Sequence, residues 1–116
     1  MAESGWAPAY GGSTLGMAGA QGGTIAWDEA GPHGARLTLE VGGGGAPCTL
    51  SCAVEGWLLH VRFFGGEDEA YRAFEETRPA LEALAGKLPA AGPRSVDAAA
   101  LRQAHQEMVR FQSDFP

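Results

Sequence analysis

Residues 48–66 read CTLSCAVEGWLLHVRFFGG, two runs of alternating apolar and polar residues joined at Glu55 and Gly56. Side chains on a strand point alternately to its two faces, so this alternation is typical of half-buried strands. Glycine tolerates the positive φ that a two-residue hairpin turn requires. The stretch therefore predicts a β-hairpin in which Val54 lies opposite Trp57 across the turn.

That register makes one face of the hairpin wholly apolar. The apolar face comprises Cys48, Leu50, Cys52, Val54, Trp57, Leu59, Val61 and Phe63. The opposite face of the second strand carries Leu58, His60, Arg62 and Phe64. Because removing apolar surface from water stabilises a fold, we expect the apolar face to be buried beneath a helix. We expect the mixed face to lie away from that helix.

Two further strands are predicted ahead of the hairpin. Residues 35–41, ARLTLEV, alternate cleanly, with Leu37 and Leu39 on one side. Residues 24–27, TIAW, form a shorter strand that ends at the turn-rich sequence DEAGPHG. The glycine run 42–45 lacks the Lys-Ser/Thr ending of a phosphate-binding loop and precedes no helix, so it is interpreted as a strand connection.

Two helices are predicted after the hairpin. Acidic residues at 67–69 favour a helix start, because the helix dipole stabilises negative charge there, and apolar residues then recur at three- and four-residue spacing. Pro79 either kinks one long helix or begins a second helical segment. Ser95 is a good N-cap for the last helix, which we expect to run to about Phe111.

This order of elements predicts a single α+β domain over residues 24–116, an antiparallel sheet of three to four strands with two helices packed on it. Residues 1–23 are rich in Gly, Ala and Ser and show no apolar period. A segment of that composition buries too little surface to offset its ordering entropy, so we expect a flexible N-terminal arm.

The charge and composition exclude several classes of function. The net charge is −6 and the eight basic residues are scattered, which argues against a nucleic-acid partner because phosphate binding needs a basic face. No apolar run is long enough to span a membrane, and no basic segment near Met1 indicates a signal peptide. We expect a cytoplasmic protein that does not insert into membranes.

Catalytic and metal-binding chemistry is not predicted. Cys48 and Cys52 lie four residues apart, roughly 13 Å along a strand, too far for a disulfide or a shared metal ion. Both are expected to be reduced and buried. His60 opposite Ser51 could mimic a base and its nucleophile, but no carboxylate is placed to orient the imidazole. We therefore predict no enzyme activity, no cofactor and no metal site.

The mixed face of the second strand is the candidate binding surface. Leu58 and Phe64 form an apolar pair beside His60 and Arg62. One interpretation is an exposed site for a protein partner, since binding energy concentrates in a few apolar and aromatic anchors. The other is that the last helix covers this strip, and both remain open at this point.

The stretch from LTLEV to KLPAAG resembles the C-terminal domain of flagellar hook-length control proteins and of type III secretion needle-length regulators. Leu37 and Leu39 match the first strand of those domains. Residues 49–54 match the second strand and residues 58–64 the third. The helix positions are matched by Tyr71, Phe74, Leu81 and Leu84, and Gly92 matches the helix end.

The resemblance implies a protein that acts by contact on the cytoplasmic domain of an export-gate switch protein, changing which substrates are exported. It implies a cytoplasmic location or export through the type III apparatus. The alternative is a small acidic stand-alone adaptor, chaperone-like or immunity-type, that covers a basic partner.

Overall fold

A computed structural model describes residues 5–116 as an antiparallel sheet with two α-helices on one face. Each strand pairs with the next one along the chain, so the first and last strands are the two edges. This confirms the α+β class and the two helices. It corrects the predicted three to four strands, because there are five. The strands are β1 (Ala7–Pro8), β2 (Thr24–Ala30), β3 (Ala35–Val41), β4 (Cys48–Val54) and β5 (Leu58–Phe64).

The first helix, α1 (Glu67–Lys87), runs unbroken through Pro79. Its first turn carries three acidic residues and its last turn carries Lys87, the distribution that the helix dipole favours. Pro79 is exposed, so the ring and the missing N–H face solvent instead of the core. Of the two alternatives for Pro79, the structure has one long helix.

The second helix, α2 (Ala98–Asp114), begins later than predicted. Its N-cap is Asp97, whose Oδ1 accepts a hydrogen bond of 2.8 Å from the backbone N–H of Ala100. Ser95 instead lies in a short 3-10 turn that precedes the helix. The carboxylate stabilises the helix start both as an acceptor and as a negative charge.

The core lies between α1 and the face of the sheet formed by alternate residues of β3 and β4. Trp27 of β2 completes it by stacking on Phe74 of α1, with ring centroids 3.9 Å apart. Helix α2 packs against α1 and buries Ala104 and Phe111, whereas Leu101 stays 42% exposed. The buried strand residues on this face are Ala35, Leu37, Leu39, Cys48, Leu50, Cys52, Val54 and Phe64.

The register of the β4–β5 hairpin differs from the prediction by one residue. Val54 pairs with Leu58, not with Trp57, so three residues instead of two connect the strands. Gly56 has φ +80°, and the N–H of Trp57 donates to the Val54 carbonyl at 2.9 Å. Trp57 leaves the ladder because its indole Nε1 donates to the carbonyl of Pro89 after α1, at 2.9 Å. A shift of one residue exchanges the two faces of β5.

The segment that was predicted as a flexible arm lies against the sheet from Ala7 onward. Strand β1 pairs with the end of β2, and Ala9 is buried. The carboxylate of Glu40 on β3 accepts hydrogen bonds from the backbone N–H groups of Gln21 and Gly23. The segment thus supplies the fifth strand of the sheet, and its flexibility stays a prediction. Residues 1–4 of the predicted arm lie outside the described residues.

Candidate docking site on the open face and edge of the sheet

The four predicted binding residues lie on the face of the sheet that carries the helices. His60 Nε2 donates to the carbonyl of Phe115, 2.7 Å away, just after α2. Arg62 donates to the hydroxyl of Thr77 on α1 at 2.7 Å and lies over the ring of Phe115. Phe64 is only 9% exposed. The exposure expected of Phe64 is therefore wrong, and its burial follows from the shifted register.

The second interpretation, a strip covered by the last helix, describes this face better. The cover comes from Phe111 of α2, which contacts the His60 ring edge-on, and from Phe115, which stacks on Phe111. Leu58, the fourth predicted residue, is half-buried and packs against the core. Whether these side chains bind a partner stays a prediction.

The residues that the prediction had placed in the core point to the open face instead. Leu59 is 66% exposed and Phe63 is 62% exposed, while Val61 between them is half-buried. These three residues, which we name the edge stripe, form a continuous apolar line on one side of β5. Large apolar side chains gathered on a surface commonly mark an interaction site.

The backbone of the edge stripe also faces away from the sheet. Hydrogen bonds from Glu55 N–H to the Gly34 carbonyl and from Gly42 N–H to the Pro47 carbonyl bracket the β3–β4 ladder. Because bonded pairs alternate, odd-numbered residues of β4 bond to β3 and even-numbered ones bond to β5. Their partners on β5 are also even-numbered. The N–H and C=O groups of residues 59, 61 and 63 therefore point outward from the edge.

Strand β5 lacks most of the features that usually protect a sheet edge. Such edges are commonly blunted by proline, lysine, a bulge or an inward-pointing charge. Residues 58–64 contain neither proline nor lysine, and their pairing with β4 is continuous over seven residues. The one charged side chain, Arg62, is an inward-pointing charge of that kind: it donates to Thr77 on the helix face and leaves the open face of β5 without a charge. The edge stripe is thus open both to hydrogen bonding and to apolar contact.

A shallow groove of about 270 Å³ separates the edge stripe from the N-terminal segment on the open face. Leu59 forms one wall and residues 18–21 form the other. Ser51 and Ala53 of β4 line the floor and are half-buried. The groove is open along its length, so it suits an extended surface contact better than an enclosed small molecule.

The charged groups on this face serve to hold the N-terminal segment. Asp28 on β2 accepts hydrogen bonds from the hydroxyls of Thr14 and Thr38 and a bidentate pair from Arg36, at 2.6–3.0 Å. Burial alone would raise the pKa of Asp28, but these hydrogen bonds and the Arg36 charge together hold it below its ordinary value. The carboxylate is saturated with partners and has a structural role.

The chemical groups considered from the sequence do not assemble into a reactive site. Ser51 pairs with Val61, so its side chain lies on the opposite face of the sheet from His60. Burial raises the pKa of the Cys48 thiol, and that of Cys52 to about 12, so both stay protonated and unreactive. Within residues 5–116, no group of His, Cys, Asp and Glu side chains could hold a metal ion.

Comparison with protein-family models, with curated proteins and with solved structures finds no match for this chain. In the part of the chain that the structure describes, neither helix is long and apolar enough to cross a membrane. The sequence is compatible with the edge stripe but does not select it. A glycine in a hairpin loop also suits a three-residue connection, and that choice would have directed Leu59 and Phe63 outward.

Proposed function

We propose that this chain is a non-catalytic protein-binding module and that its docking surface is the edge stripe on β5. The observation that carries the proposal is the exposure of Leu59 and Phe63, 66% and 62%, on an edge strand that contains neither proline nor lysine. A partner that adds a strand there gains backbone hydrogen bonds, and the alternate side chains give specificity.

The resemblance to hook-length and needle-length control domains supplies the class of partner. Under this proposal the chain contacts the cytoplasmic domain of an export-gate switch protein and changes substrate choice without catalysis. The hairpin that carries the resemblance also carries the edge stripe, so both lines of argument point to the same part of the molecule. The protein acts in the cytoplasm or at the entrance of the type III apparatus.

A binding experiment with a purified partner tests this proposal. The probe is the cytoplasmic domain of the export-gate switch protein from the same source cell, titrated against the wild-type chain and the double variant Leu59→Ser, Phe63→Ser. We expect at least a tenfold loss of affinity with an unchanged melting temperature, because both side chains already face solvent.

The matched control is the double variant Leu101→Ser, Val109→Ser. Both residues are exposed apolar positions of α2, at 42% and 47%, and lie on no strand. Equal affinity loss for the two double variants, or none for either, would contradict the proposed docking surface. Absence of binding by the wild-type chain would remove the export-gate partner.

The second candidate is an acidic adaptor that covers a basic partner. One surface favours it: helix α1 exposes five acidic residues near its start and along its outer side. Such a complex would weaken steeply with added salt, because exposed charge pairs are screened over roughly 8–10 Å at physiological ionic strength. Binding unchanged by half-molar salt would count against it. The five residues are Glu67, Asp68, Glu69, Glu75 and Glu76.

A further inference from the structure

We infer that the edge stripe binds a second copy of this chain, through antiparallel pairing of β5 with β5 about a two-fold axis at Val61. The inference rests on the proposed function in that both use the edge stripe, and it names a partner of defined chemistry. The pairing would join two five-stranded sheets into one continuous sheet of ten strands.

The backbone of β5 fits this register. In antiparallel pairing about Val61, Leu59 lies opposite Phe63 of the second copy and Val61 lies opposite itself. The N–H and C=O groups of these residues are the ones that point away from β4. Each of the three pairs then exchanges two hydrogen bonds, about six in all. A register displaced by one residue would instead set these outward groups opposite residues whose N–H and C=O groups are already bonded to β4.

The side chains fit the same axis. Residues 58–64 read LLHVRFF, and two of the three pairs of positions equally distant from Val61 are bulky and apolar: Leu59 with Phe63, and Leu58 with Phe64. The third pair, His60 with Arg62, is polar and lies on the helix face. A two-fold interface must be complementary to itself, since the same patch is used twice. Opposed residues of an antiparallel pair share a face, so Leu59 would cover Phe63 of the second copy and the reverse.

The charge distribution also favours a second copy at the centre of the contact. The chain carries a net charge of −6, yet β5 contains no acidic residue, and its one cation is already bound to Thr77. Repulsion between acidic groups is thus absent from the paired strands, and the two Arg62 side chains, each held by Thr77 on the helix face, are the only like charges of β5 near the axis. Acidic repulsion returns at the strand ends, where continuation of the register brings exposed Glu67 towards exposed Glu55 of the other copy.

The size of the contact sets its strength. A stable interface buries roughly 800 Å² per partner, and one seven-residue strand pair buries less. We therefore expect a weak dimer whose population depends on protein concentration. Screening of the Glu55 and Glu67 charges should strengthen it as salt is added, opposite to the salt effect on an acidic surface that binds a basic partner.

Single-cysteine cross-linking tests the register directly. In the proposed dimer, two copies of residue 61 are a hydrogen-bonded pair with Cα atoms about 5.5 Å apart, within disulfide range. Two copies of residue 59 lie roughly 13 Å apart, beyond that range. Under mild oxidation, Val61→Cys should give a covalent dimer on a non-reducing gel, and Leu59→Cys should not.

The native thiols do not confuse this result, because Cys48 and Cys52 are both buried. A Val61→Cys chain that stays monomeric overturns the inference. Equal cross-linking of Val61→Cys and Leu59→Cys overturns it as well, since it would report random encounters. Combining Leu59→Cys with Phe63→Cys should restore the covalent dimer, because those positions oppose each other.

Sedimentation equilibrium tests association without any cysteine change. The wild-type chain should shift from 12.0 kDa towards twice that mass as its concentration rises, and the shift should grow with salt. Val61→Arg should stay at the monomer mass, because it sets two like charges together on the axis. A melting curve checks that this variant folds. A wild-type chain that stays monomeric across the micromolar range overturns the inference.

The dimer and the export-gate docking function can be disproved independently of each other. A monomeric wild-type chain whose export-gate binding falls with Leu59→Ser, Phe63→Ser removes only the dimer. A chain that forms the Val61→Cys dimer, but whose export-gate binding is indifferent to the edge stripe, removes only the proposed docking function.

Discussion

The two faces of the sheet carry similar apolar side chains, which are buried on one face and exposed on the other. On the helix face, Leu50 of β4 is fully buried beneath α1. On the open face, Leu59 of β5 is 66% exposed, although it lies in the adjacent hairpin strand. The N-terminal segment covers only the β2 and β3 side of the open face, held by Asp28 and Glu40. Whether an apolar residue of this sheet is buried therefore depends on whether a helix or the N-terminal segment packs over it.

The largest expected effect is on the helix face. Leu50→Ala should lower the free energy of unfolding by about 2–5 kcal/mol, because it leaves a cavity as well as removing buried surface. Urea or thermal unfolding at pH 7 measures the loss. For a domain with about 5–15 kcal/mol of stability, that loss is severe. A loss below about 1 kcal/mol would show that the helix face is not the core.

An intermediate effect is expected where the N-terminal segment attaches to the open face. Asp28→Asn should cost about 1.5–3 kcal/mol at pH 7, because the hydrogen bonds to a charged partner are weakened. The pKa of Asp28 is lowered in the folded protein, so its contribution is complete above the unfolded pKa of about 3.9 and is lost as the pH falls through the folded pKa.

The stability gap between wild type and Asp28→Asn should therefore close as the pH falls below about 4. Urea unfolding across a pH series measures this closure. Asp114→Asn is the control, since Asp114 is exposed at the end of α2 and should show a small gap. A gap for Asp28→Asn that stays constant into strong acid would contradict a stabilising role of its charge.

The smallest expected effect belongs to the edge stripe. Leu59→Ala should change the free energy of unfolding by no more than about 0.5 kcal/mol, as is usual for an exposed position. It is the matched partner of Leu50→Ala, with the same atoms removed from the opposite face. If Leu59→Ala destabilised the protein as much as Leu50→Ala, Leu59 would have to be buried. That result would support the register predicted from the sequence, in which Val54 lies opposite Trp57.

The strand positions could be predicted from alternation, but the faces of β5 could not. In LLHVRFF both faces are rich in apolar residues, so alternation gives no preference between the two registers. The loop decides, because Trp57 donates to Pro89, a residue 32 positions away, and so leaves the strand. A contact of that range has no local signal in the sequence. The predicted binding strip lies on the covered side of β5, and the exposed apolar side chains Leu59 and Phe63 lie on the other side.

The attachment of the N-terminal segment to the sheet could not be predicted from the sequence, for a different reason. Residues 7–23 have no apolar period, and their position comes from hydrogen bonds to Asp28 and Glu40. Carboxylates at strand positions usually face water, so nothing local marks these two as buried acceptors. By contrast, α1 and the helix-face residues of β3 and β4 follow from periodicity, and the sequence analysis placed them correctly.

The buried position of the Glu40 carboxylate affects which substitutions the neighbouring glycines tolerate. A side chain at Gly19 would begin in the space that the Glu40 carboxyl already fills, whereas one at Gly44 would meet no neighbouring atom. In a saturation library, replacements at Gly19 should displace the Glu40 carboxyl and cost its hydrogen bonds to Gln21 and Gly23, and should be less well tolerated than replacements at Gly44. Natural variants that lose Gly19 should also have replaced Glu40. Gly19 and Gly44 both lie in glycine-rich segments, but only Gly19 is constrained by a neighbouring side chain.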